Sequence, residues 1–151
     1  MSTDAEVLAA AAGDSYKDRA ANDVGNDRKI VNFGDQKYRI FGYSSDFSTG
    51  FHGTAYQNTA PPYNIIIAYR GTDPDFLHHT GTTGQDAAVD FQMVRDRVNP
   101  QKADADAFTA AMIRKAEAHG IPLDQITVAG HSLGGTLAEI EAWEFKLHGA
   151  T

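Results

Sequence analysis

The sequence contains no cysteine, and it lacks long apolar runs and clustered positive charge. The absence of cysteine excludes disulfides, thiolate metal sites and a cysteine nucleophile. The longest apolar runs, "NIIIAY" and "VLAAAA", are far too short to cross a bilayer. Lys and Arg number 13 against 20 Asp and Glu, for a net charge of −7, and their scatter argues against nucleic-acid binding. Asp4 and Glu6 stand where a signal peptide would carry Lys or Arg, so we interpret the N-terminus as mature sequence.

What the sequence does contain is the composition of an ordinary globular domain. Apolar residues make up 42% and charged residues 22%, close to the averages of folded domains, which disfavours disorder and fibrous repeats. A length of 151 residues suits one domain with one core. No linker, internal repeat or low-complexity tract divides the chain, so we expect a single domain over residues 1–151.

The first half of the chain predicts one helix followed by strands. Thr3 and Glu6 have the spacing of a capping box, and good helix formers follow, so a helix is expected from about 4 to 20. Residues 24–36 are rich in Gly, Asn and Asp and predict a loop. "KYRIFGYS" and "TGFHGTAYQN" predict a β-hairpin, and the continuous apolar run "NIIIAYR" predicts a central strand buried on both faces.

The second half of the chain alternates between strand and helix patterns. After a long loop over residues 71–84, "QDAAVDFQMVRDRV" predicts a helix that ends at Asn99 and Pro100, and a separate helix is expected over 103–120. "DQITVAG" predicts a short strand, and the spacing of apolar residues from 133 to about 148 predicts a last helix. This order predicts an α/β fold whose mixed sheet is mainly parallel after an antiparallel portion, with helices on both faces.

The stretch "ITVAGHSLGGTLA" places Ser132 between glycines at the predicted strand-to-helix turn. A serine hydroxyl is a poor nucleophile unless a sharp turn presents it and a base deprotonates it as it attacks. Such a turn needs small neighbours because the helix packs directly against the strand, and Gly130 and Gly134 meet this need. The turn also brings the N–H of Leu133 to a helix N-terminus, where it can donate to an oxyanion. The alternative is a structural turn in which Ser132 is only a solvated cap.

These motifs resemble a known family. "IIIAYRGT", followed about sixty residues later by "ITVAGHSLGGTLA", resembles the class 3 lipases of the α/β-hydrolase fold, and "GFHGTAYQN…YRGTD…QDAAVDFQMV" is similar to a bacterial branch of lipase-like proteins. The resemblance implies Ser132 as nucleophile and Leu133 as one oxyanion donor. It also implies Thr72 as the second donor, and a supportive role for His131 within the elbow of Gly130, His131 and Gly134. The loop from about 73 to 84 falls where the family carries its lid.

The sequence departs from this family in its missing acid and base. The order in α/β-hydrolases is serine, then Asp or Glu, then histidine, but only nineteen residues follow Ser132. We therefore expect a partial hydrolase domain, truncated after the nucleophile helix, whose sheet ends at the nucleophile strand. His78 and His79 in the loop are weak substitutes for the base. The chain would then be a fragment of a longer hydrolase, a protein completed by a partner chain, or a non-catalytic relative.

The resulting expectation is a serine hydrolase of lipid carboxylic esters that works through an acyl-enzyme on Ser132. Two alternatives remain open: a binding or assembly protein that keeps the elbow for packing, and an esterase for soluble short-chain esters. The expected partners are a lipid or ester substrate and a protein or missing C-terminal half that completes the sheet. The chemistry requires no metal or organic cofactor, and a calcium site elsewhere is left open. Resemblance alone suggests a bacterial protein exported without a cleaved signal.

Overall fold

The computed structural model describes residues 4–17, 19–46, 48–70, 87–131 and 133–150. Within these ranges the chain forms three α-helices and six β-strands. In chain order the elements are α1 (Asp4–Asp14), β1 (Val31–Phe33), β2 (Gln36–Asp46), β3 (Phe51–Asn58), β4 (Ile65–Arg70), α2 (Ala87–Ala118), β5 (Ile126–Gly130), α3 (Leu133–Phe145) and β6 (His148–Ala150). Short 3-10 turns at Ala21–Asp23 and Leu123–Gln125 precede β1 and β5.

The strands form one mixed sheet in which spatial order follows chain order, β1-β2-β3-β4-β5-β6. The first four strands pair antiparallel, whereas β4, β5 and β6 are parallel to one another. A parallel neighbour requires a crossover, and α2 and α3 provide the two crossovers here. The predicted α/β class, the hairpin and the antiparallel portion before the parallel strands are thereby confirmed.

Helices cover both faces of the sheet, as predicted. The central strand β4 shows why, because Ile65, Ile67 and Tyr69 face the cluster beneath α2 and α3, while Ile66 and Ala68 face the cluster beneath α1. All five side chains are buried. A strand covered on both sides needs apolar residues at every position, which explains the unbroken run in the sequence.

Two glycines let α2 approach the sheet closely. A Cβ on Gly42 of β2 would overlap with the side chain of Met112, and a Cβ on Gly53 of β3 would lie 2.7 Å from the ring of Phe108. The methionine and phenylalanine of α2 therefore rest directly on strand backbone. Phe108 also contacts Phe51 edge-on, with ring centroids 6.1 Å apart.

Two boundaries in the first half differ from the prediction. The helix expected to reach residue 20 ends at Asp14, where the Asp14 carboxylate binds Arg19 and accepts a 2.7 Å hydrogen bond from Tyr56. Polar contacts of Asp14 with Arg19 and with the distant Tyr56 thus act where helix propensity alone would continue α1. The predicted loop over 24–36 contains β1, which pairs with β2 through a tight turn at Gly34 (φ 66°). A three-residue strand is too short for its pattern to be recognised.

The two helices expected on either side of Asn99 and Pro100 are instead one helix, α2, with Pro100 inside it. Proline removes one backbone donor and costs about 3 kcal/mol in a helix interior, so tertiary contacts must offset it. The adjacent Gln101 supplies such a contact, because it is 1% exposed and its side-chain amide donates to the Thr49 carbonyl at 3.0 Å. Among the described helices, even this longest one lacks the apolar character needed to span a bilayer.

The sheet does not end at β5, contrary to the prediction. The chain reverses after α3 at Lys146 (φ 58°), and His148, expected in the last helix, begins β6 beside Thr127 of β5. The N–H of Leu147 bonds the carbonyl of Ala142 at 2.9 Å, as in a Schellman motif, and the Leu147 side chain is buried. This local reversal turns the chain back onto the sheet.

Candidate active site

The candidate site lies at the edge of the sheet where β4 and β5 end. The two strands are parallel, and Tyr69 pairs in register with Gly130, so both carboxyl ends meet at the same edge. Ligands of open α/β sheets bind at this edge. The predicted oxyanion residue Thr72 follows β4 by two residues, and the predicted nucleophile Ser132 follows β5 by two residues. Thr72 and Ser132 themselves lie outside the described residues, as do His78 and His79.

The geometry around Gly130 is that of a very tight strand-to-helix turn. A Cβ on Gly130 would overlap with the backbone carbonyl of Gly134 and lie 2.7 Å from the backbone N of Gly135. Main-chain atoms cannot rotate out of the way as a side chain can. Gly130, Gly134 and Gly135 are all buried, and only glycine fits at the end of β5.

The N-terminus of α3 opens toward the same edge. Leu133 is its first residue, as predicted, and α3 runs for thirteen residues to Phe145. The first N–H groups of an α-helix have no intrahelical acceptor, and the helix dipole places partial positive charge there. The backbone at Leu133 therefore belongs to a segment that favours a developing negative charge. His131, the residue before Ser132 in the sequence, is exposed.

Arg70 fixes the segment after α1 beside the end of β4. Its guanidinium donates to the carbonyl of Tyr16 at 2.9 Å and lies 5.4 Å from the centroid of the Tyr16 ring. The planar guanidinium combines a hydrogen bond with stacking, which lysine could not reproduce. Arg70 thus has a structural contact at this edge.

The turn between β2 and β3 also lies at this edge, and no pattern in the sequence predicts how it is anchored. Thr49 Oγ1 donates to Asp104 Oδ2 at 2.6 Å, which ties the turn to α2. Within the turn, hydrogen bonds from Ser48 hold the pKa of Asp46 below its usual range. The bond between Thr49 and Asp104 joins residues 55 positions apart in sequence, beyond the reach of any local pattern.

The described histidines divide between the two edges of the sheet. His52 pairs with Arg70 at the candidate edge, and its Nδ1 lies 3.3 Å from the hydroxyl of Tyr43 on the strand farther from β5. His119 follows α2, which returns the chain to the amino end of β5, so it lies at the opposite edge. His148 pairs with Thr127 of β5, which precedes Gly130 by three residues, or roughly 10 Å along the strand. Among the described histidines, only His131 therefore lies at the turn after β5.

A second polar cluster lies away from this edge, between α2 and α3. Glu141 is fully buried, and no donor among the described residues reaches either of its carboxylate oxygens. Burial, together with the neighbouring Asp106, raises the pKa of Glu141 to about 9. Burial alone would raise the pKa of Asp106, but hydrogen bonds from Glu141 and Lys102 hold it below its usual value. When no cation other than Lys102 is present, the protonated carboxyl group of Glu141 can donate a hydrogen bond to Asp106.

Comparison of the chain with protein-family models, with curated proteins and with solved structures finds no match. No relative therefore assigns a role to these residues. The motif around Ser132 and the geometry of the strand ends that flank it are the features that point to a function.

Proposed function

We propose that this chain carries the nucleophile of a class 3 lipase-like serine hydrolase of the α/β-hydrolase fold, acting on carboxylic esters of lipids. Ser132 is the nucleophile in this proposal. The observation that carries it is the close approach of Gly130 to the backbone of Gly134 and Gly135. A turn this tight between a parallel strand and a helix is the feature that presents a serine in G-x-S-x-G hydrolases.

The proposed reaction proceeds through an acyl-enzyme. The Ser132 hydroxyl oxygen attacks the ester carbonyl while its proton passes to a general base, and the alcohol leaves as the carbonyl reforms. Water then hydrolyses the acyl-serine by the reverse sequence of proton transfers. The backbone N–H of Leu133 and the backbone N–H and hydroxyl of Thr72 hold the oxyanion in both halves. The adjacent ends of β4 and β5 support this pairing, since one proposed donor follows each strand.

The proposal places the general base and its orienting acid outside the described residues. His119 and His148 lie at the wrong edge, and His52 lies against Tyr43, on the side of β3 away from β5. A base supplied by a further segment or a partner chain would approach from the open side of β6. The test must therefore distinguish a base within the chain from a base supplied from outside it.

The test is covalent labelling of the purified chain with a fluorophosphonate, with and without added imidazole as a substitute base. We expect labelling of the wild type and of Ser48→Ala, which removes an exposed serine from the β2–β3 turn. We expect none in Ser132→Ala. Labelling that requires imidazole places the base outside the chain, and labelling without it places the base within. Unlabelled Ser132 under both conditions would overturn the proposal in favour of a binding or assembly role.

Substrate class is tested on the same variants with one short-chain and one long-chain ester. The proposal expects Ser132-dependent hydrolysis to increase when the long-chain ester is presented at a lipid surface. Hydrolysis confined to the soluble short-chain ester would contradict the lipid assignment and identify an esterase. The imidazole condition that permits labelling is kept throughout, and the Ser132→Ala rate is subtracted.

A further inference from the structure

A buried carboxylate faces two more accessible carboxylates between α2 and α3. Glu141 of α3 is 0% exposed, and neither of its carboxylate oxygens accepts a hydrogen bond from a described residue. Asp106 of α2 and Glu144 of α3 lie in front of it, with side chains 33% and 30% exposed. One carboxylate oxygen from each of the three lies within 4.8 Å of the others.

The ammonium group of Lys102 supplies positive charge to this cluster. Its ammonium lies 2.9 Å from Asp106 and 2.6 Å from Glu144. It bridges these two carboxylates, but no hydrogen bond joins it to the oxygens of Glu141. The Lys102 side chain is 40% exposed, so its ammonium can turn into solvent without opening the core.

We propose that Asp106, Glu141 and Glu144 bind one calcium ion, which takes the place of the Lys102 ammonium between α2 and α3. The ligand atoms are all carboxylate oxygens, the donors preferred by hard divalent cations, whereas zinc and copper favour nitrogen and sulfur. A divalent ion at this position would bind the buried oxygens of Glu141, which accept no hydrogen bond from the ammonium.

Three protein carboxylates suit calcium better than magnesium, which demands near-ideal octahedral geometry and gives up its waters reluctantly. Two oxygens on opposite sides of a calcium ion, each bound at about 2.4 Å, are separated by about 4.8 Å, whereas the same arrangement around magnesium allows only about 4.2 Å. The three oxygens lie within 4.8 Å of one another, so no pair exceeds the longest separation between two calcium ligands. Asp106 and Glu144 reach solvent, so water can complete the six to eight ligands that calcium takes.

The bound ion would link the two crossover helices. Asp106 belongs to α2, and Glu141 and Glu144 belong to α3, whose first turn packs against Gly130. A ligand that binds only the folded protein stabilises it in proportion to the logarithm of its concentration above the dissociation constant. Calcium would therefore raise the thermal midpoint whether or not the chain hydrolyses esters.

The test is calcium titration of the chelator-stripped protein by isothermal calorimetry, with thermal unfolding in parallel. We expect one ion per chain, a higher midpoint with calcium, and weaker binding of magnesium. Glu141→Gln keeps the size of the side chain and should weaken calcium binding about tenfold or more, whereas Glu139→Gln on the exposed face of α3 should leave it unchanged. Lys102→Met removes the competing cation and should tighten binding about fivefold or more.

Circular dichroism verifies that each variant is folded, and Asp106→Asn replaces Glu141→Gln if the latter is not. The proposal is overturned if the wild type binds no calcium, if the ligand variant binds as tightly as the wild type, or if magnesium binds as well as calcium. Weaker binding in Lys102→Met would also overturn it, because the lysine would then be part of the site instead of its competitor.

Discussion

Gly130 at the end of β5 lies against the backbone of Gly134 in the first turn of α3, so closely that no side chain fits between them. The contact joins strand and helix directly, without an intervening layer of side chains. It also fixes the direction in which the chain leaves the sheet, and the residues between the two glycines include the proposed nucleophile. Packing and the proposed chemistry therefore impose the same requirement for glycine at position 130.

Replacing Gly130 with alanine tests that requirement. The added methyl group would meet main-chain atoms, so strand and helix must separate, and we expect unfolding free energy to fall by about 3 kcal/mol. Fluorophosphonate labelling of Ser132 should fall with it under native conditions. The matched control is Gly13→Ala in α1, where a Cβ meets nothing within 4 Å. That variant should be neutral or up to about 1 kcal/mol more stable by denaturant titration. Equal stability of the two variants would contradict the crowding at Gly130.

The contact between Gly53 and Phe108 gives a second packing prediction. Alanine at position 53 would push against the Phe108 ring and lower the unfolding free energy by about 1–3 kcal/mol. A smaller partner should relieve the conflict, so Gly53→Ala should cost less in a Phe108→Leu background than in the wild type. Denaturant unfolding of the two single variants and the double variant measures this coupling. Additive effects would show that α2 adjusts without strain.

The sequence predicted the elements whose pattern is local and strong. The structure confirms the strands β2, β3 and β4, although β3 is buried at six of its eight positions instead of at alternate ones. The predictions of the C-terminal end of α1 and of a break in α2 were wrong, because tertiary polar contacts act there: those of Arg19 and Tyr56 with Asp14, and that of Gln101 beside Pro100. The three-residue strands β1 and β6 carry too few side chains to show a period.

For the candidate site, the sequence predicted the glycines but not their surroundings. The small residues at 130 and 134 follow from the motif, and the structure supplies the crowding that requires them. Strand register could not be read from sequence, so neither the pairing of His52 with Arg70 nor the edge occupied by His148 could be predicted. The carboxylates of α2 and α3 were likewise missed, because 35 residues separate Asp106 from Glu141.

The cluster of Asp106, Glu141 and Glu144 predicts that the stability of the protein depends on pH once a chelator has removed any bound metal. Glu141 faces Asp106 and Lys102 of α2, Glu144 of its own helix and Tyr69 of β4. Its pKa is raised from 4.5 to about 9, so the folded chain holds a proton that the unfolded chain releases between these values. Stability conferred by this proton is complete below the lower pKa and is lost as pH rises toward the upper one, by at most about 1.4 kcal/mol per pH unit.

Glu141→Gln removes this proton without changing the shape of the side chain. Denaturant unfolding across the pH range should therefore show a shallower decline for Glu141→Gln than for the wild type, while Glu139→Gln follows the wild type. Parallel curves for all three proteins would mean that Glu141 titrates with an ordinary pKa.

The reversal after α3 offers a stabilising substitution. Lys146 adopts a left-handed backbone conformation (φ 58°), which costs an L-residue about 1–2 kcal/mol, and its side chain is exposed. Lys146→Gly should relieve this strain and raise the unfolding free energy by about 0.5–1 kcal/mol, after allowing for the greater freedom of glycine in the unfolded chain. Lys146→Ala keeps the Cβ and should bring no gain, which separates backbone strain from loss of the lysine charge. Chemical denaturation measures both, and a gain shared equally by the two variants would assign the effect to charge.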